Sequence, residues 1–206
     1  MRTKVQLSKS DREIRTWMII VSICLFLVII LGWYVKVREK FEKDQRRLKG
    51  QWEQVRSAYQ RRTYLITNIA NSARAYATLE KEAFVAVFDA RTKTFDIYVH
   101  PIRMNDSILA EYDAAQDELA NSLTNLLAAL EKYPELKENR TFMRLQTGLE
   151  GCENKIATER RNFNEATLKF NTKIHTFPKN IAARIMGLKD RPYLVLRDET
   201  GVAPAS

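Results

Sequence analysis

Residues 17–35, WMIIVSICLFLVIILGWYV, contain no charged side chain. At ~1.5 Å of rise per residue the run matches the ~30 Å hydrocarbon thickness of a bilayer. Trp17 stands at one end and Trp33 with Tyr34 at the other, as an interfacial belt requires. A cleaved secretory signal would have a shorter apolar core followed by a small-x-small site. Here the run passes through Gly32-Trp33-Tyr34-Val35 directly into charge, which marks a retained anchor. A buried soluble helix with Ser22 and Cys24 as its only polar positions would be unusual. The expectation is one membrane crossing, with the lipid bilayer as first partner.

Charge follows the same division. Residues 1–62 hold 15 Lys or Arg against 6 Asp or Glu, whereas the other 144 residues hold 19 of each. The net +9 therefore flanks the span, where each cation near anionic headgroups is worth ~1 kcal/mol. The distal part has no basic excess and no basic motif interleaved with aromatics, so nucleic acid is not an expected partner. Five cations precede the span (Arg2, Lys4, Lys9, Arg12, Arg15). Seven follow it closely: Lys36, Arg38, Lys40, Lys43, Arg46, Arg47 and Lys49. The positive-inside count leans toward a cytoplasmic distal domain. Cys24 lies in the span and Cys152 far outside it, so neither reports a redox compartment.

The ~170 residues after Lys36 suffice for one hydrophobic core. Between Lys36 and Arg91 there is no proline and one glycine, Gly50, while Trp52, Val55, Tyr59, Leu65, Ile66, Ile69, Ala73, Tyr76, Ala83 and Val87 recur at helical spacing. One very long helix fits, as does a break near Arg61–Thr67, though no turn residue signals one there. Residues 92–107 read as a connector: a β-favouring Phe95–Val99, then His100-Pro101, then the N-cap cluster Asn105-Asp106-Ser107. Tyr112, Leu119, Leu123, Leu126, Leu130 and Tyr133 form a heptad-like seam that Pro134 stops. A longer seam runs through Phe142, Leu145, Leu149, Cys152, Ile156, Phe163, Phe170, Ile174 and Phe177, ending at Pro178. Gly148 and Gly151 within it suggest close helix packing. The fold expected is all-α: one transmembrane helix, then an antiparallel four-helix bundle. By residue, 1–16 is a basic tail, 17–35 the span, 36–187 the bundle and 188–206 a C-terminal tail.

Glu153, Arg160, Asn164 and Asn171 lie one position along from the second seam, on a single flank. Arg61 or Arg62, Glu80 and Glu131 are their charge-complementary candidates on other helices. Such flanking groups ordinarily set register and partner choice; a polar interhelical pocket is the functional alternative.

Catalytic signatures are missing. His100 and His175 are the two histidines, no H-E-x-x-H or C-x-x-C occurs, and neither histidine completes an E-x-x-H pair. The six glycines form no phosphate-cradling loop. The expectation is no enzyme, no metal and no cofactor.

The segments EKYPELK (131–137) and FMRLQTGLEGCENKIATERRNFNEATLKFNTKIHTFP (142–178) resemble the LemA family, with Phe163-Asn164 and Phe170-Asn171 where that family has Tyr-Asn. Trp52, Arg61-Arg62, Leu65-Ile66, Asn68, Tyr76-Ala77 and Arg91 are similar to its second block, with Thr67 replacing a proline. The resemblance implies a bundle anchored in a bacterial inner membrane, with its first turn near Arg61–Thr67. It also implies members of unknown biochemistry, and one MamQ-like branch that acts in forming the magnetosome, an intracellular membrane organelle. The functional expectation is a structural protein that shapes membrane or recruits membrane or peripheral protein partners, a homo-oligomer being left open. Its competitors are a ligand-binding sensor using a pocket near Glu153 and Arg160, and an unrecognised hydrolase.

Overall fold

With no proline to remove a ladder hydrogen bond, the chain from Lys9 to Ala73 forms one helix, α1, of 65 residues and thus about 98 Å. Gly50 does not interrupt it. The computed structural model describes residues 9–101 and 104–194, and every regular element among them is helical. The apolar part of α1 is long enough to cross a membrane, and its most hydrophobic window is not buried against the rest of the protein.

The break expected near Arg61–Thr67 is absent. Thr63 and Thr67 donate their hydroxyls to the carbonyls of Tyr59 and Thr63, at 3.1 and 2.8 Å, without leaving the helix. Thr67 also keeps the backbone N–H that a proline would lack. The reversal comes later, over residues 74–80, where Ala77 is fully buried and the backbone N–H groups of Tyr76 and Ala77 close on the Ala73 carbonyl. α2 then runs Lys81–Asp96.

α2 thus takes up Thr92–Asp96 from the expected connector, with Thr92 and Thr94 bonding back to Phe88 and Arg91. Of the rest, Val99 and Met104 are buried in the core, while residues 102–103 lie outside the described set. α3 (Asp106–Leu130) starts where Asn105 accepts the Ile108 N–H at 2.8 Å. A one-turn α4 (Pro134–Glu138) leads to α5 (Arg140–His175), capped by Asn139 through the Thr141 and Phe142 N–H groups. α6 (Lys179–Ile185) ends at Gly187, whose φ of 65° only glycine adopts freely. There the Leu188 N–H reaches back to the Ala183 carbonyl at 3.0 Å, a Schellman closure.

Pairings fix the directions. Ala58 meets Cys152, Trp52 meets Phe163, and Phe41 meets Phe170, so α5 runs antiparallel to α1. Lys93–Glu118 at 2.5 Å and Glu80–Lys132 at 3.4 Å make α2 antiparallel to α3. The seam positions are buried, or partly buried as at Tyr133, Leu145 and Leu149, with one exception. Phe177, read as the last seam residue, is 75% exposed, because α5 ends at His175 and the chain turns before it. Two further readings are corrected. A Cβ on Gly148 would make only ordinary contact with Leu65, and one on Gly151 would meet open space, so neither glycine is required for close packing. The stretch after Gly187 is not loose up to Leu194, which is 1% exposed in the core; residues 195–206 of the expected tail lie outside the described set.

Candidate functional site

The core divides lengthwise into two apolar clusters. One gathers Phe41, Trp52, Val55 and Tyr59 with Tyr112, Phe163, Phe170, Ala182 and Leu194. The other gathers Ile66, Ile69 and Ala73 with Val87, Leu119, Leu126, Leu136 and Phe142. Along α1 the change falls between Tyr59 and Ile66, along α3 between Tyr112 and Leu119. A polar layer occupies that junction.

Arg62 is its centre and is 5% exposed. One guanidinium nitrogen donates to the Gln116 carbonyl at 2.7 Å and to the Gln116 side-chain oxygen at 2.9 Å. The other lies 3.4 Å from both carboxylate oxygens of Glu153. Its carbon sits 5.0 Å from the Tyr59 ring centre. One turn toward the first cluster, Arg160 donates to the Tyr59 hydroxyl at 2.8 Å and to Asp113 at 3.1 Å, and that hydroxyl faces Asp113 at 3.4 Å. Three helices are thereby tied at one level by charge-assisted bonds, geometry that fixes register. Burial raises the Tyr59 phenol well above its ordinary 10, and pushes Tyr112 up to about 12. Burial likewise raises the Cys152 thiol, which donates to the Ala58 carbonyl. These groups stay neutral near pH 7, and none is poised as a nucleophile or base.

Of the residues singled out from sequence, Arg62, Glu153 and Arg160 meet in this layer. Asn164 and Asn171 do something else: each forms a two-way clamp on the C-terminal strand of backbone. The Asn164 side chain bonds the Leu194 carbonyl and N–H at 2.7 and 2.9 Å, and Asn171 does the same for Arg191 at 2.9 Å each. Arg61 and Glu131 are exposed outside the layer, and Glu80 pairs with Lys132 at the far end. Tyr59, Asp113 and Gln116 were missed. Tyr59 reads as an ordinary seam aromatic and the other two sit on polar steps of α3, so only the three-dimensional level joins them. Among the described residues, no group of three or more His, Cys, Asp or Glu side chains could hold a metal ion.

Beside the layer, a 140 Å³ cavity opens between α1, the end of α2 and the connector, lined by Trp52, Arg56, Gln60, Tyr98, Tyr112 and Gln116 among others. The Trp52 indole N–H is buried there without a protein acceptor. After the apolar run, Lys36, Arg38, Lys40, Lys43, Arg46, Arg47 and Lys49 are all exposed. Glu42 pairs with Arg38 at 3.0 Å and with Arg46 at 3.9 Å. Trp17 is exposed, and Trp33 and Tyr34 pack partly on the first cluster.

A family model described as LemA family matches residues 51–205. Protein LemA of Metamycoplasma hominis is 26% identical over 171 residues, covering 80% of this chain and 73% of that protein. Magnetosome protein MamQ 2 of Paramagnetospirillum magneticum is 34% identical over 79 residues, or 38% of this chain and 29% of its own length. Magnetosome protein MamQ of Magnetospirillum gryphiswaldense is 32% identical over a match of the same extent. The chain thus spans under a third of those magnetosome proteins.

Proposed function

The chain belongs to the LemA family, and from that premise we propose that it acts without catalysis, as a scaffold anchored in a bacterial inner membrane. Residues 17–35 cross the bilayer once. The distal part of α1, with α2, α3 and α5, forms an antiparallel four-helix bundle that shapes the membrane or holds partner proteins against it. The observation supporting this most is the continuity of α1, a single helix that is both anchor and core element. A hinge between the two would suit a tethered catalyst that searches for substrate; a hinge-free joint suits presentation at a fixed height. In its narrower form, drawing on the names of the MamQ relatives, the role lies in building a magnetosome membrane.

The test reconstitutes the full chain into neutral vesicles and into vesicles rich in phosphatidylglycerol, imaged by electron cryomicroscopy beside vesicles carrying residues 1–35 alone. Clustering or reshaping that rises with protein density, more strongly on the anionic vesicles, is the expected result. The anionic preference should fall in the Lys36→Gln, Arg38→Gln, Lys40→Gln variant. These cations lie within ~8 Å of Val35 along the helix, inside one Debye length, whereas Arg46, Arg47 and Lys49 stand ~16 to 21 Å out and should matter little. Vesicles indistinguishable from those carrying the span alone would overturn the reading.

A second reading, a tethered ligand-binding module, draws support from the cavity beside Trp52 rather than from Glu153 and Arg160, whose charges already face protein partners. Thermal stabilisation by a small molecule, lost in Arg56→Ala and kept in Arg160→Ala, would favour it.

A further inference from the structure

α5 runs back toward the membrane. Lys173 bonds Asp44 at 2.7 Å, and Phe170 meets the ring of Phe41. The chain that follows must therefore turn over at the membrane-proximal end of the packed body. α6 does so, packing on α1, with Lys179 lining a small crevice beside Val37, Phe41 and Asp44. Val37 lies ~3 Å and Phe41 ~9 Å beyond Val35 along the helix axis. The headgroup layer on each side of a bilayer is ~5 to 7 Å thick. Packing thus holds the start of α6 beside the headgroup layer and its outer edge.

Its two faces differ sharply. Ala182 and Ala183 are buried against the core. Ile181 and Ile185, four apart on the helix, are 50% and 67% exposed, and Phe177, which precedes α6, is 75% exposed. Clustered large apolar side chains facing water call for a covering surface, and the one fixed in place by the rest of the chain is the bilayer. A helix this short would hold lipid poorly on its own; the adjoining span keeps it at high effective concentration beside the surface. Exposed Arg184 in α6, and exposed Lys40 in the crevice with Lys179, carry charge suited to anionic headgroups.

We propose that α6 is a second membrane contact: its Ile181 and Ile185, with Phe177 just before the helix, insert at the interface of the same bilayer that residues 17–35 cross, fixing the rotation and tilt of the helical body about its anchor. This rests on residues 17–35 being the span. The test places a nitroxide on Ile181→Cys or Ile185→Cys in the full-length Cys24→Ser, Cys152→Ser chain, reconstituted in phosphatidylglycerol-containing vesicles. Leu27→Cys reports the span, and Thr158→Cys, on the exposed side of α5, reports water. The expected result is an oxygen-to-nickel-chelate collision ratio at positions 181 and 185 several-fold above that at 158, and below that at 27. A ratio equal to that at 158, with 27 still lipid-like, would overturn the α6 contact while leaving the span intact. A water-like ratio at 27 would instead sink the span, and the α6 proposal with it. Dipolar broadening at 181 that grows with protein density would assign the face to a second copy and also overturn the proposal. The Phe177→Trp chain gives an independent readout: quenching by shallow-brominated lipid beyond that of the parent tryptophans is expected, and equal quenching counts against insertion.

Discussion

Arg62 gave up its water to sit between two apolar clusters, and what it received in exchange decides how a substitution there behaves. Its strongest bonds are to Gln116, which is itself 3% exposed. The Glu153 contact is longer, and that carboxylate is nearly half exposed. Arg62→Ala takes a donor from the buried Gln116 side-chain oxygen and leaves a hole beside Tyr59, and should cost about 3 kcal/mol in urea unfolding. Glu153→Gln should cost under ~1 kcal/mol, since solvent screens the partly exposed pair. Equal losses would mean that the salt bridge, rather than the buried hydrogen bonding, holds the layer together. The tyrosines give a second handle at this scale. Burial holds both phenols neutral, so their contribution is complete below the unfolded value of 10 and is lost as pH rises through the folded values, about 12 for Tyr112 and higher for Tyr59. Stability should therefore fall steeply above pH 10. Absorbance at 295 nm should show two tyrosines titrating late, and Tyr112→Phe should flatten part of the alkaline loss.

At the level of elements, periodicity carried most of the information. The seams through Tyr112–Leu130 and Phe142–Ile174 are legible because each apolar step repeats over several turns, and averaging over turns outweighs any single exception. Turns without a Gly or Pro marker are not legible in this way. The reversal over residues 74–80 is made by ordinary residues, and its buried Ala77 looks like any helical alanine. The family resemblance misplaced the same turn for a physical reason, because Thr67 keeps the hydrogen bond that a proline would forfeit. Restoring that proline tests the account. Thr67→Pro should remove a ladder bond in mid-helix and cost about 3 kcal/mol or more, seen as a drop in Tm and in helical circular dichroism. An unchanged Tm would mean that α1 already tolerates a bend there. The candidate site was half legible. Arg62, Glu153 and Arg160 stand out as charges beside an apolar stripe, whereas the Asn164 and Asn171 clamps required knowing where residues 191–194 return, and the backbone they hold has no periodic signature.

For the molecule as a whole, the length of α1 converts directly into a dimension. From Val35 to Ala73 the helix rises ~57 Å, and the reversal after Ala73 carries Leu79, which is 87% exposed, at the far tip. With residues 17–35 as the proposed anchor, the unbroken helix cannot lower that tip except by tilting. Spanning helices tilt by ~20° on average, which shortens the height only slightly. A nitroxide at Leu79→Cys should therefore sit about 50 to 60 Å from spin-labelled headgroups, with a narrow distribution. Inserting three glycines after Val35 breaks the mechanical link without touching the core, so the same measurement should then broaden and shorten while the Tm of the helical body stays put. A broad distribution in the unmodified chain would mean that α1 bends at the membrane surface, and a scaffold that sets distance would no longer be a tenable account of the molecule.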